Sequence, residues 1–500
     1  MTTAGFCRGM ASPLAVALAT LMIAPGAALA AQPATETAVP EVDATRLAQL
    51  PAFIDTMVAD QLENSEVAGA VVTVVNDGEV IFNKGYGYQN IEAGTPVNPD
   101  ATLFRPGSVS KLFAWTALMQ QVEQGKVDLD ADINEYIDFE IPRNGFEPIT
   151  VRNLFSHTPG MSDVGGIIVR DPKDVLEFEE WIKARVPRRV WAPGVETAYS
   201  NYGSAIAGYI VQRVSGESFE DYVERHIFQP LGMDNTTVRE PFDTPEMKAN
   251  LATGYRVEDG KMIPQDPEYV GNILPAGSSS STGADMAKFM MAMVNGGELN
   301  GNRILQPETV QMMQGNLSSF TDNLPGMAYG FMVYRDEGPR LIGHGGNTGD
   351  FHSDLVIAPD LDLGYFISMT GGEGSSEART VLKRAIEGFL FPQQPAPRWD
   401  GEEETAPLGR YRSNRRDFGR PVNPEYDTIV TSLGNGRIEI KGYDDTSTWE
   451  RVGPHLYEKV TDVPEGGPYD RVEFYDTPRG PRMAYGSSPY TAYHYVDSEE

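Results

Sequence analysis

Cys7 is the only cysteine in a chain of 500 residues. One cysteine closes no disulfide within the chain, so the fold must be held by packing; Cys7 lies in an expected N-terminal signal, and a mature chain without it also lacks thiol catalysis and cysteine-bound metal. Material for a core is present: 40% of residues are apolar and 22% charged, the balance of a globular protein. The length allows two or three domains, or one large enzyme domain with an appendage. Charge is lopsided, with 40 Lys and Arg against 71 Asp and Glu, a formal net charge of −31. Such a surface repels nucleic-acid phosphates and anionic lipid, so neither is an expected partner. The acids are spread along the chain, and the densest run, Glu402 to Glu404, is too short for an acidic tail.

Residues 1–30 differ from the rest. Arg8 is their only charge, an apolar run extends from Ala11 to Ile23, and Ala28-Leu29-Ala30 follows Pro25-Gly26. This order matches a secretory signal cut after Ala30, and the run is short for a membrane span. The expectation is a periplasmic or secreted protein with no integral membrane segment in the mature chain. Cys7 precedes the apolar run, so it is badly placed for lipid attachment.

Residues 31–45, rich in Ala, Pro, Thr and Glu, read as a flexible leader. Apolar residues at helical spacing (Leu47, Leu50, Ile54, Val58, Leu62) predict a helix over 46–66. The β-branched run Ala68 to Val75, the turn signal Asn76-Asp77-Gly78 and Glu79 to Phe82 predict a hairpin. Further helices are predicted over 108–125, from a capping box at Thr282 to Val294, and over 377–389, with a strand at Tyr365 to Thr370. A Pro-rich stretch then breaks the pattern, which sets a large domain at 46–392, a linker at 393–407 and a small all-β domain at 408–500. The fold class is α/β of the α+β kind.

Three motifs stand in order: Ser108-Val109-Ser110-Lys111, Tyr199-Ser200-Asn201 and His344-Gly345-Gly346. Each is weak alone. A pattern with two fixed positions arises by chance roughly once in a chain this long, and Tyr88-Gln89-Asn90 is a second Y-x-N. Ser108 could be a plain helix N-cap, Tyr199 core, and His344 part of an ordinary turn. Together they make chemical sense. Residues i and i+3 share a helix face, so Lys111 can reach the Ser108 hydroxyl. A serine is a weak nucleophile and needs a base, which a buried lysine of lowered pKa provides. A nearby tyrosine can pass the proton to a leaving group. Glycines after His344 let a backbone N–H approach a substrate carbonyl.

With their flanks, Phe104 to Lys111, Leu154 to Gly160, Tyr199 to Gly203 and Gly343 to Gly346 resemble the beta-lactamase-related serine hydrolases. That family includes class C beta-lactamases, DD-carboxypeptidases, D-aminopeptidases and esterases. The resemblance, over about residues 46–392, implies a beta-lactamase/transpeptidase-like fold: an antiparallel sheet flanked by helices, plus a helical lobe. It implies that Ser108 is acylated, that Lys111 is its partner, and that Tyr199 is general base and acid. It places Asn201 on a substrate amide, His344 where beta-lactamases usually carry lysine, and the N–H groups of Ser108 and Asn347 at the oxyanion. Gly346 completes the substrate-binding set. The third motif departs from K-T-G, which weakens recognition of a substrate carboxylate and favours peptidase- or esterase-like cleavage of a small-molecule or peptide substrate. The alternatives are a beta-lactamase or DD-carboxypeptidase, or a non-catalytic penicillin- or peptidoglycan-binding module.

No zinc site is expected, because none of the six histidines pairs at metalloprotease spacing, and acyl-enzyme chemistry on a serine requires no metal or organic cofactor. His157 reads as a structural turn residue, and His352 as either a cleft or a loop residue. Gly277 to Gly283 reads as a loop feeding a helix cap, and Met286, Met290, Met291 and Met293 as core. Asp350 and Asp354, near the third motif, are candidates to tune the site electrostatically or to contact a substrate amine.

Overall fold

Residues 67–90 set the architecture. The β-branched run forms strand β1 (Val67–Asn76), buried on both faces over nearly its whole length. Asp77 and Gly78 turn it with positive φ at both residues, the geometry that a two-residue hairpin needs, into β2 (Glu79–Asn90). In this computed structural model, which describes residues 42–242, 244–401, 408–443 and 445–497, β1 sits inside a nine-stranded sheet. The other strands are β3 (Thr95–Pro96), β4 (Asn316–Ser318), β5 (Met327–Ala328), β6 (Met332–Arg335), β7 (Leu341–Asn347), β8 (Phe351–Ala358) and β9 (Leu363–Gly371). Their order is β3-β2-β1-β9-β8-β7-β6-β5-β4, with every pairing antiparallel.

Side chains alternate across this sheet, so each face has its own core. Val72, Val74, Ile367 and Met369 face helix α1 (Ala44–Asn64), through Leu50, Ile54 and Val58, and the C-terminal helix of the sheet domain. Val71, Val75 and Phe366 join the larger core of the helical lobe. That lobe contains α2 (Lys111–Glu123), α3 (Asn201–Ser215) and α4 (Gly283–Val294). The long helix α5 (Glu373–Leu390) lies on the α1 side. The architecture expected from the resemblance is the one present.

Several local outcomes refine the sequence reading. Helix α1 begins at Ala44, capped by Asp43, so the last residues assigned to the leader are helical. Only half of the capping box at α4 forms: Thr282 caps the N–H of Asp285, while the Asp285 carboxylate accepts from Asn235 and Thr236 instead. Met286, Met290 and Met293 are core, as read. The expected signal, most of the leader and residues 402–407 of the linker lie outside the described residues.

The C-terminal segment is an eight-stranded closed barrel: β10 (Gly409–Ser413), β11 (Thr428–Gly434), β12 (Arg437–Lys441), β13 (Thr446–Gly453), β14 (Leu456–Lys459), β15 (Arg471–Thr477), β16 (Gly480–Tyr485) and β17 (Ala492–Val496). Tyr411, Ile438, Trp449, Phe474 and Met483 form its core. Closure leaves no free sheet edge. The barrel docks immediately upstream of the second motif. Ala198 bridges Thr491, Ala492 N–H donates to Thr197 at 3.2 Å, and Glu196 accepts from Asn414 at 2.7 Å and from Arg482 at 2.5 Å.

Candidate active site

Ser108 lies in a 3-10 turn, Gly107–Ser110, that runs directly into α2, whose first residue is Lys111. The turn brings Lys111 Nζ to 3.0 Å from Ser108 Oγ. Nζ also reaches Asn201 Oδ1 at 2.9 Å and the Ala276 carbonyl at 2.6 Å. Asn201 is the first residue of α3, which packs against α2, and Ser200 caps that helix through the Gly203 N–H at 2.9 Å. Lys111 is completely buried. Burial, then the charge of Arg415, holds its pKa well below the usual lysine range, against a smaller opposing pull from Asp163.

Tyr199 is 5% exposed, with its ring between several neighbours. Its hydroxyl closes no hydrogen bond, although Ser108 faces it closely enough to favour the phenolate. Burial dominates and pushes the phenol pKa up, with Ser108 and Arg415 pulling it down. His157 packs on this ring at 4.3 Å between centroids and accepts the Ser200 N–H through Nδ1 at 3.2 Å. It thus braces the second motif, which agrees with its structural reading.

Ser108, Tyr199, Asn201 and Asn347 all line one cleft of about 1400 Å³ between the sheet domain and the barrel. His344 and Gly346 are near but do not line it. His344 is fully buried, with its ring 6.1 Å from that of Tyr199. Burial, reinforced by Lys111, lowers its pKa to about 3, so the ring is neutral at physiological pH. Its Nδ1–H donates to the Gly345 carbonyl at 2.6 Å. His344 therefore carries no cation where the resemblance places a lysine. Gly346 packs against the turn bearing the serine: a Cβ there would fall 2.0 Å from the Pro106 oxygen and 2.8 Å from Ser108 N. Gly107, at φ +55°, abuts Asn347 in the same way. Strand β7 and the Ser108 turn thus run backbone to backbone, the arrangement that two converging N–H donors require.

The carboxylates singled out for a substrate amine are already engaged. Asp350 forms a two-pronged ion pair with Arg170, both contacts at 2.9 Å, and Asp354 pairs with Arg379 at 2.6 Å. His352 Nδ1 contacts Asn347 Oδ1 at 2.9 Å and so buttresses the cleft wall. Ser278 to Ser281 are fully buried, and Ser279 meets Ser110 Oγ at 2.6 Å behind the serine turn, so this stretch is no phosphate cradle. The Tyr88-Gln89-Asn90 copy of the second motif sits at the end of β2, with Tyr88 exposed.

The sequence reading missed the barrel's share of the site. Arg415 lies 4.7 Å from the Tyr199 ring centroid, and Tyr490 meets the same ring edge-on at 5.4 Å. A signal existed: Arg410, Arg412, Arg415 and Arg416 cluster in an otherwise acidic chain.

The fold is of the beta-lactamase/transpeptidase kind. A family model described as Beta-lactamase matches residues 54–387, and the chain belongs to that family. It is 26% identical to Protein flp of Staphylococcus aureus (strain MW2) over 325 residues, 63% of this chain and 62% of the relative. It is 32% identical to the putative penicillin-binding protein PbpX of Bacillus subtilis (strain 168) over 224 residues, 45% of this chain and 54% of the relative. The match thus spans a little over three fifths of the first of these relatives and just over half of the second. Among solved structures, SurE aligns with a TM-score of 0.64 at 21% identity, covering 90% of this chain and 99% of that one. The octameric penicillin-binding protein homologue from Pyrococcus abyssi aligns at 0.59 and 22%, covering 89% and 99%. Among the described residues, no helix is long and apolar enough to cross a membrane.

Proposed function

We propose that this chain is an exported serine hydrolase that cleaves an amide or ester bond through an acyl-enzyme on Ser108, in the peptidase- or esterase-like manner. The observation that carries this reading is the 3.0 Å contact between Ser108 Oγ and a fully buried Lys111. A neutral lysine amine has two N–H bonds. Asn201 Oδ1 and the Ala276 carbonyl accept both, which leaves the lone pair for the Ser108 hydroxyl proton.

Ser108 Oγ attacks the carbonyl carbon as Lys111 takes its proton. Charge on the carbonyl oxygen goes to the N–H groups of Ser108 and Asn347. Tyr199, still a phenol because it is buried, gives its proton to the departing amine or alcohol and recovers one from the Lys111 ammonium. Water then attacks the ester, its proton passes back through the same groups to Ser108 Oγ, and the acid leaves. Asn201 lines the cleft besides holding Lys111, which supports its contact with the substrate amide. Export rests on residues 1–30.

Intact-mass spectra of residues 31–500 test this, with and without Ser108→Ala, after a fluorophosphonate and, separately, after benzylpenicillin. A fluorophosphonate adduct confined to the Ser108 form supports the reading. A lasting penicillin adduct would direct the substrate search to peptidoglycan-like amides. The absence of any adduct in the unsubstituted chain would favour a binding module.

A further inference from the structure

Tyr199 needs help to act as an acid in a buried site, because donating its proton leaves a phenolate out of water. The polar and titratable groups around it are Lys111 from α2, His157 from the loop after residues 151–155, His344 from β7, Asp163 from the following loop, and Arg415 and Tyr490 from the barrel, while β5 and β6 pack Met327 and Met332 on it with Tyr334 beside them. Both histidines are buried and neutral. Lys111 Nζ, 4.9 Å from the ring centroid, becomes one cation once it holds the Ser108 proton. The other is the Arg415 guanidinium, 4.7 Å from the same centroid.

Arg415 is fixed there by more than chance contact. Its Nε donates to Asp163 Oδ2 at 3.1 Å, the Asp163 N–H donates to the Arg416 carbonyl at 3.0 Å, and the Phe418 N–H donates to Ser162 Oγ at 2.9 Å. Phe418 stands edge-on to Trp191 at 5.0 Å. The segment after β10 is thus clamped to residues 162–163, with Arg415 aimed at Tyr199.

Resting on the hydrolase reading above, we infer that Arg415 is a positioning residue of the catalytic centre. The barrel supplies the second cation beside Tyr199, the charge that neutral His344 does not carry, so barrel and sheet domain make one catalytic unit. A cation here favours the phenolate of Tyr199 and the neutral amine of Lys111 alike. Solvent reaches 39% of the Arg415 side chain, so screening limits the effect to about one pH unit.

The test is the rate of Ser108 labelling by a fluorophosphonate from pH 5 to pH 10, in the full chain, Arg415→Met and Arg415→Lys, with thermal melts of each. In Arg415→Met the midpoint of the rising limb should move up by about one pH unit, slowing labelling about tenfold on the acid side while the alkaline plateau survives. Arg415→Lys should restore most of the limb. An equal loss at all pH values in both variants would mean a merely structural role and overturn the inference. So would an unshifted limb accompanied by a raised KM confined to substrates bearing a carboxylate, which would make Arg415 a substrate contact. If the unsubstituted chain does not label, the hydrolase reading itself falls, and this inference with it.

Discussion

Asn201 Oδ1 lies 2.9 Å from Lys111 Nζ, which ties the first residue of α3 to the first residue of α2. With the Ala276 carbonyl it fixes where the amine lone pair points. Asn201→Ala removes one of the two carbonyls and leaves a buried N–H without a partner, at about 1–3 kcal/mol. Labelling of Ser108 by a small fluorophosphonate that lacks an amide should slow on the order of tenfold, because this probe reads the amine and not the substrate contact. Stopped-flow labelling rates measure it; an unchanged rate would assign Asn201 to the substrate alone.

Tyr199→Phe separates the two proton transfers. Loss of a general acid costs about 10²- to 10⁴-fold, so turnover of an amide with a poor leaving group should fall by that much. Fluoride leaves a phosphonyl fluoride without a proton, so labelling by that probe should fall far less. Equal losses in the two assays would move Tyr199 to the activation of Ser108.

His157 holds a left-handed backbone, φ +55°, while its ring backs Tyr199 at 4.3 Å. Asn, Asp and His tolerate that φ better than Ala and most other side chains do. His157→Ala should cost about 1–3 kcal/mol in urea unfolding, from the lost Ser200 contact and the strain. It should lower kcat more than it raises KM, because it loosens Tyr199. His157→Asn, which tolerates the backbone, should recover stability but not kcat.

The sequence made the site legible where chemistry demands adjacent residues. Ser108 and Lys111 had to share a helical turn, and they do. What it hid were partners whose role depends on tertiary placement. The Ala276 carbonyl has no side-chain signature, and the lysine-to-histidine exchange at His344 reads as a lost cation without saying what replaces it. Arg415 lies 216 residues beyond Tyr199 in chain order, counted from the numbering, in a domain legible only as short strands. Asp350 and Asp354 show the same limit: their proximity to the third motif was legible, but their partners Arg170 and Arg379, distant in sequence, were not.

Gly346→Ala tests the contact between β7 and the Ser108 turn. The new methyl would press on the Pro106 oxygen and on Ser108 N, both of them backbone atoms that cannot rotate aside. Overpacking of this sort costs about 1–3 kcal/mol. Since the displaced atoms carry the nucleophile and an oxyanion donor, labelling of Ser108 should fall by more than the loss of stability alone explains. Circular dichroism and labelling rate, measured on the same sample, check it.

Acid sensitivity follows from two buried histidines. His344 titrates near 3 and His352 near 4, each held down chiefly by burial and then by a neighbouring cation, Lys111 or Arg379. Unfolded, both would titrate near 6.5. Below pH 6.5 the unfolded chain therefore binds protons that the folded chain refuses. The stability these groups contribute is complete above that pH and is lost as pH falls toward the folded values, at up to about 1.4 kcal/mol per pH unit for each group. His352 is 7% exposed, so solvent screens it little. Between pH 7 and pH 5, His352→Gln should shrink the loss of unfolding free energy by about 1–2 kcal/mol relative to the unsubstituted chain. Urea titrations at the two pH values measure this directly, and parallel losses in both proteins would show that His352 is not protonated more readily in the unfolded chain.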